Sequence, residues 1–310
     1  MKPLISVIVP AYNCRATIER CMGAMKRLNY GNCEIIIVDD GSTDGTHDMI
    51  KKACSGRIRW IRQDNAGPAA ARNAGAEAAK GDILAFTDSD CVPYSDWLDH
   101  VPQHFINKNI VGVEGEIETD RLGVFTQSVR SEGGRYLTAN IFYKRKEFLA
   151  EGGFDERFRR AFREDTDMAI RMMARGRIVY ESASKVYHIP RNVSLFSLIK
   201  RQELYFYEPL FFKKHGSHAV RYSTHGITSS PFVRSAIAGV ALLSLVLGSI
   251  ESMFFAVPAA LWAASTLYFF GVMVKENKWN GPNIAALPFS FLLPLATLYW
   301  LLRGAIFWRG

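Results

Sequence analysis

Three short apolar runs constrain this chain more than any other feature: Leu4-Ile-Ser-Val-Ile-Val9, Glu34-Ile-Ile-Ile-Val38 and Ile83-Leu-Ala-Phe-Thr87. Each is nearly continuous rather than alternating, the pattern of a strand buried on both faces of a parallel sheet. Between them lie helical stretches. Residues 17–28 space Ile18, Cys21, Met22 and Met25 along one face, and a second helix is expected over 46–53. Asn65-Ala-Gly-Pro68 opens an Ala-rich helix that closes at Gly81, with Pro in its first turn. A short strand is expected at 59–62. Strand, helix, strand, helix, strand is an open α/β sheet, and ligands of such sheets sit at the carboxyl ends of the strands.

Polar clusters fall at those ends. Pro10-Ala-Tyr12-Asn13 follows the first run, Asp39-Asp40-Gly-Ser-Thr-Asp-Gly45 the second and Asp88-Ser-Asp90 the third. Residues i and i+2 of a strand point the same way, so Asp88 and Asp90 can converge on one point. Two carboxylates there suit a hard divalent cation, Mg²⁺ or Mn²⁺, while an Asp-rich turn is the plainer reading.

Other chemistries lack their signatures. No Gly-x-Gly-x-x-Gly follows the first run and there is no Walker A loop, which disfavours dinucleotide and P-loop chemistry. Ser42 lacks the Gly-x-Ser-x-Gly frame of a nucleophile elbow. The net charge of +8 carries no nucleic-acid-binding motif, so no nucleic-acid partner is expected. The five cysteines are odd in number and form no Cys-x-x-Cys pair, which suits free thiols in a reducing compartment. Met1-Lys2-Pro3 leads straight into the first strand without a signal peptide, so a cytosolic amino-terminal domain is expected.

Four ordered motifs carry a resemblance. Ser6-Val-Ile-Val-Pro-Ala-Tyr-Asn13, Ile36-Ile-Val-Asp-Asp-Gly-Ser-Thr-Asp44, Asn65-Ala-Gly-Pro-Ala-Ala-Ala-Arg-Asn-Ala-Gly75 and Asp88-Ser-Asp90 resemble the family 2 glycosyltransferases in identity, order and spacing. The resemblance covers about residues 4–215. It implies a GT-A fold, a mixed, mainly parallel sheet flanked by helices, with a nucleotide-sugar donor, a divalent metal (Mn²⁺ or Mg²⁺) and inversion at the anomeric carbon.

The resemblance also implies roles. Asp90 is the metal ligand, and Asp88 leans toward the ribose or donor sugar beside it. Asp40 accepts from the nucleobase, Tyr12 lies beside the base, and Arg72 is a cationic contact near the donor. Pro10 and Asn13 belong to the same donor edge. Asp39 either shares that role or caps the turn. In Arg163-Glu-Asp-Thr-Asp167, which opens a helix expected over 165–175, Asp165 matches the general base. Glu164 is either an acceptor contact or, like Asp167, an acidic residue favoured in a helix's first turn. His188, after a strand expected at 178–180, is either structural or near the metal and diphosphate. Asn140 lies in a segment resembling the acceptor pocket lining. Processive synthases carry Gln-x-x-Arg-Trp after the base. The nearest stretch here, Lys200-Arg-Gln-Glu-Leu204, has no Trp, which favours transfer of a single sugar.

The expected domains are 1–215 for the transferase (a nucleotide-sugar half at 1–92, an acceptor half at 93–190, a membrane-proximal helix at 191–215), a linker at 216–233 and a membrane part at 234–310. The stretch 194–212 interleaves Phe, Leu and Tyr with Lys, as an amphipathic helix along a membrane surface or one packed on the domain. Apolar segments at 236–250, 254–274 and 284–308 read as two or three transmembrane helices. Arg234, Lys275 and Lys278 place the flanks of the first two in the cytosol. The third segment, interrupted by Pro288, Pro294 and Arg303, either crosses or re-enters. The expected protein is thus a multi-pass protein of the cytoplasmic membrane with a cytosolic catalytic domain. Its expected partners are membrane lipids and a lipid-linked acceptor such as a polyprenyl-phosphate saccharide.

Overall fold

The structure is a computed structural model that describes residues 2–122, 125–223 and 287–309, with isolated positions between 235 and 271. The chain divides into two compact units, one of residues 1–120 and 128–190, the other of residues 121–127 and 191–310.

The first unit is built on an eight-stranded sheet. Its strands are β1 (Ile5–Ala11), β2 (Cys33–Asp40), β3 (Ile58–Gln63), β4 (Ile83–Phe86), β5 (Cys91–Pro93), β6 (Ile110–Glu118), β8 (Ile141–Lys144) and β9 (Arg177–His188). Their order across the sheet is β3-β2-β1-β4-β8-β6-β9-β5. The first four run parallel, β6 and β9 are parallel to each other, and β8 and β5 join by antiparallel edges. The sheet is therefore mixed and largely parallel, as the resemblance implies.

Burial on both faces explains the continuous apolar runs. On one face Ile5, Val7, Val9, Ile35 and Ile37 pack with Cys21, Met22 and Met25 of α1 (Ile18–Lys26) and with Trp97. On the other, Ile8, Ile36, Val38, Leu84 and Phe86 pack with the alanines of α3 (Pro68–Ala78) and with Met168 and Met172 of α5 (Glu164–Met173). Phe86, Phe148 and Phe154 pack there in tilted and edge-to-face contacts with centroids 5.2 Å apart, Phe148 coming from α4 (Arg145–Ala150). The helix α3 sits close because it is small-sided. A Cβ on Gly75 would lie 2.5 Å from Ile8 Cγ2. Helix α2 (Thr46–Ala53) follows the turn after β2.

Pro10 lies inside β1, where a missing N–H would normally break a ladder. The pairing of β1 with β4 ends at Ile8, whose carbonyl accepts from Thr87 N–H at 3.3 Å. Pro10, two residues on, faces the same side past the end of that pairing, so no ladder bond is lost.

In the second unit β7 (Thr126–Gln127) pairs with β10 (Arg191–Asn192). The single amphipathic helix expected over 194–212 is instead α6 (Leu195–Lys200), a 3₁₀ turn (Arg201–Tyr207) and α7 (Glu208–His215). Pro209, in the first turn of α7, has no N–H to continue the α-ladder and clashes with the preceding turn, so the helix is interrupted and restarts. A short α8 (His218–Ser223) follows. The last helix, α9 (Leu287–Phe307), packs on the 3₁₀ turn. Thr297 Oγ1 donates to Gln202 Oε1 at 2.7 Å and Trp308 Nε1 to the Phe206 carbonyl at 3.1 Å. A Cβ on Gly304 would meet Phe206 O at 2.3 Å, so only glycine allows this approach.

The expected membrane segments at 236–250 and 254–274 fall outside the described residues apart from the isolated positions. The third coincides with α9, which contains Pro294. Among the described residues no helix is long and apolar enough to cross a membrane.

Candidate active site

The register Ala11↔Asp39 and Ile8↔Phe86 brings the carboxyl ends of β1, β2 and β4 to one edge of the sheet. The polar clusters of the sequence therefore share that edge. Asn13, in the left-handed region at φ 46°, ties two of the loops together. Its N–H donates to Ser42 Oγ at 3.1 Å, and its Oδ1 accepts from Thr43 N–H at 2.8 Å. Tyr12 beside it is 49% exposed, an aromatic face open to a planar ligand.

The paired acids that close β2 are both buried. Asp39 accepts from Ser42 N–H at 3.0 Å and faces His47 Nδ1 at 3.0 Å, so it caps its turn and holds α2. Asp40, expected to accept from a nucleobase, is occupied by the protein itself. Gln63 Nε2 and the Ala66 N–H donate to its Oδ1, and Asn65 Nδ2 and the Gly67 N–H to its Oδ2, at 2.8 to 3.2 Å. Four donors fill the roughly four acceptor positions of a carboxylate. Asp40 thus anchors the loop before α3 and sets an anion at that helix's amino end.

Helix α3 then carries Arg72 inward. The side chain is 1% exposed and forms two ion pairs, Nη2 with Asp88 Oδ1 at 2.7 Å and Nη1 with Glu164 Oε1 at 3.0 Å. Asp88 belongs to the tip of β4 and Glu164 to the start of α5, so one guanidinium joins the two halves of the site. Asp165 lies within its electrostatic reach. Glu164 is accordingly more than a helix cap or acceptor contact: it is the buried counter-ion of Arg72.

The two adjacent carboxyls of α5 are both perturbed upward. Burial, then the charge of Asp165, pushes Glu164 up to about 8. Burial raises Asp165 as well, against the hydrogen bonds from Thr166 and the charges of Arg72 and Arg163. Thr166 N–H donates to Asp165 Oδ1 at 2.6 Å and fixes its rotamer. A carboxylate with a raised pKa is a stronger base toward a hydroxyl proton.

The folding consequence has a definite sign. A carboxyl whose pKa is higher when folded contributes stability that is complete below its unfolded value. That contribution is lost as pH rises through the folded value. Glu164 should therefore make the protein lose stability from about pH 5 to about pH 8. In Glu164→Gln the denaturation midpoint should change less over this interval, as equilibrium urea melts at the two pH values would record. An equally steep change in the variant would remove Glu164 as its source.

At the tip of β4, Asp90 Oδ1 lies 3.7 Å from His188 Nε2. His188 closes β9 and pairs directly with Cys91 of β5. The Asp90, Cys91 and His188 ligand atoms all lie within 4.8 Å of one another. A divalent ion with bonds of ~2.1 Å can span the Asp90–His188 gap, and carboxylate plus imidazole is a donor set that Mn²⁺ accepts. His188 Nδ1 is buried without a partner, so no hydrogen bond holds the ring in another orientation. The residues present fit a divalent cation. Asp88 borders this position but is held by Arg72.

Asn140, expected at the acceptor pocket, is a correction. It is 0% exposed and clamps the sheet. Its Oδ1 accepts from Trp97 Nε1, and its Nδ2 donates to the carbonyls of Glu116 and Ser184, each at 2.8 Å. Three buried partners leave it no surface for a substrate.

Sequence reasoning missed the Arg72–Glu164 pair, Cys91 as a neighbour of the metal position, and the donors that enclose Asp40. Only the adjacency of Cys91 to Asp90 is written in the chain; the rest depends on long-range packing.

Comparison with known proteins agrees with this geometry. The profile described as "Glycosyl transferase family 2" matches residues 6–171. Glycosyltransferase AglE of Haloferax volcanii is 35% identical over 121 residues, 37% of this chain and 40% of that protein. The Escherichia coli protein named UDP-Glc:alpha-D-GlcNAc-diphosphoundecaprenol beta-1,3-glucosyltransferase WfaP is 46% identical over 88 residues, 28% of this chain and 35% of its own. In both, the matched part is well under two thirds of the relative. Among solved structures, the mannosyltransferase PcManGT from Pyrobaculum calidifontis, in complex with GDP-Man and Mn²⁺, superposes with a TM-score of 0.59 at 17% identity, covering 100% of this chain and 88% of that one. S. aureus TarS 1-349 with UDP-GlcNAc gives 0.55 at 17% identity, covering 98% and 91%. The likeness to these structures shows the GT-A type of fold. With a family match over more than half of the 310 residues, the chain belongs to glycosyl transferase family 2, the nucleotide-sugar transferases.

Proposed function

We propose that this enzyme moves one sugar, with inversion, from a nucleotide-sugar donor to a lipid-linked acceptor at the cytosolic face of a membrane. The observation that carries the reading is the double ion pair of Arg72, which puts Asp88 and the start of α5 at one place. In an inverting displacement the acceptor oxygen attacks the anomeric carbon on the face opposite the departing diphosphate, and a donor edge with a carboxylate base across from it suits that geometry.

In this reading Asp165 takes the proton of the acceptor hydroxyl as its oxygen attacks. The departing nucleoside diphosphate lies along the edge formed by Pro10, Tyr12, Asn13 and Asp88. Arg72 sets Asp88 and supplies positive potential to the same edge. Asp90 and His188 would hold Mn²⁺ or Mg²⁺, which supplies charge neutralisation for the diphosphate. Asp39 and Asp40 shape the loops rather than touch the base.

A UDP-sugar is the proposed donor. The name of the E. coli relative, 46% identical over 88 residues, includes UDP-Glc and a diphosphoundecaprenol acceptor. The apolar stretches between residues 236 and 308 and the basic residues Arg234, Lys275 and Lys278 support membrane attachment. The missing Gln-x-x-Arg-Trp favours a single transfer over a polymer.

The test uses the full chain in lipid nanodiscs with UDP-, GDP- and dTDP-sugars and either a polyprenyl-phosphate saccharide or a water-soluble saccharide. The expected result is release of UDP and addition of one sugar to the lipid acceptor alone. A polymer ladder would point to a processive synthase. Equal turnover with the soluble saccharide, or release of inorganic diphosphate, would sink the proposal.

A further inference from the structure

We propose that Asp90, Cys91 and His188 form a three-donor site for a thiophilic divalent cation, zinc or cadmium, which displaces the catalytic cation and arrests the enzyme. The proposal rests on the reading that Asp90 and His188 hold the Mn²⁺ or Mg²⁺.

The three donors are held in place by the backbone. Cys91 and His188 are direct partners across the antiparallel β5–β9 ladder, so their side chains leave the same face of the sheet. Cys91 N–H donates to the Asp88 carbonyl at 3.0 Å and Ile189 N–H to the Asp90 carbonyl at 2.9 Å. The ligand atoms lie within 4.8 Å of one another, and His188 Nδ1 is buried without a partner. Among the described residues Cys91 is the thiol that joins this group; Cys21 Sγ faces the Asp88 carbonyl at 3.7 Å instead.

The donor chemistry then sorts cations. Mg²⁺ and Mn²⁺ prefer oxygen and imidazole and have little affinity for sulfur, so they leave the Cys91 thiol protonated. Zn²⁺ binds thiolate, imidazole and carboxylate together, and one carboxylate, one thiolate and one imidazole make three of the four ligands of a tetrahedral site. As the Zn–S bond forms, the Sγ proton passes to solvent; no electrons are transferred and no oxidant is needed. An ion bound tetrahedrally by these three donors would have one open position left for the diphosphate, so turnover should fall.

The experiment loads the metal-free full chain with Zn²⁺ and with Co²⁺. X-ray absorption of the zinc form should show one sulfur neighbour at ~2.3 Å beside nitrogen and oxygen. The cobalt form should show a thiolate-to-metal charge-transfer band that Cys91→Ala loses and Cys14→Ala keeps. The inhibition constant for Zn²⁺ against Mn²⁺-supported turnover should rise at least ~10-fold in Cys91→Ala. A zinc shell of nitrogen and oxygen only, or a charge-transfer band that survives in Cys91→Ala, overturns the proposal while the Mn²⁺ reading stands. If Cys91→Ala does not fold, the absorption spectrum of the parent protein decides alone. Failure of the parent chain to bind Co²⁺ or Mn²⁺ even with UDP present overturns the Mn²⁺ reading itself.

Discussion

Asp165→Asn should leave donor binding intact and lower turnover by ~10²–10⁴, the usual contribution of a positioned general base. The substitution keeps the shape of the side chain and its contact with Thr166, but an amide cannot take a proton from an alcohol. It also removes the negative neighbour that helps to raise Glu164. Glu164 should then titrate lower and pair more fully with Arg72, so the variant should fold at least as well as the parent. Turnover is read as nucleoside diphosphate released per enzyme, and donor affinity by calorimetry in the presence of Mn²⁺. A residual rate within about threefold of the parent, far above the drop expected of a lost base, would remove Asp165 from that role. A collapse of donor affinity would instead show that the residue binds substrate.

Asp90→Asn should abolish the part of donor binding that depends on metal. An amide oxygen is a weaker, uncharged ligand. The remaining contact, His188, has no second anchor within the Asp90–Cys91–His188 group except a buried thiol. Loss of a carboxylate ligand should cost at least the ~10–100-fold in metal affinity that lesser changes around metal sites produce. Thermal melts with UDP, with and without Mn²⁺, give the readout. A ligand at 100 times its dissociation constant stabilises by ~2.7 kcal/mol, which is several degrees for a domain of this size. The parent should show an Mn²⁺-dependent shift and Asp90→Asn only the metal-independent remainder. An undiminished Mn²⁺ effect in the variant would place the cation elsewhere.

The parallel half of the sheet was legible because three of its four strands are nearly continuous apolar runs, and the carboxyl-end polar clusters followed from them. The remaining strands were hidden for local reasons. β5 has three residues, too few for a period to show. β6 carries Gly112 and Gly115, which interrupt its apolar residues. A Cβ at Gly115 would come within 2.3 Å of Asn140 Nδ2, so glycine there marks crowding, not a turn. β9 was expected as three residues because Glu181-Ser-Ala-Ser184 masks its continuation to His188. At the site, residue type suggested chemistry but could not show which partners were already taken. Asp40 and Asn140 look available in the sequence and are saturated by the chain itself. Arg72 and Glu164 are 92 positions apart, and only packing reveals that they touch.

The pairing of β5 with β9 also orders events during biosynthesis. Strands β1 to β4 lie within the first 86 residues and can assemble early, since chains generally fold from the amino end as they are made. Asp88 and Asp90 emerge soon afterwards, but the imidazole beside Asp90 follows almost a hundred codons later, when His188 pairs with Cys91. A ribosome-stalled fragment ending before β9 would therefore carry the edge formed by β1, β2 and β4 without the imidazole that the proposed cation position requires. In that reading, metal-dependent donor binding begins only once β9 has been translated.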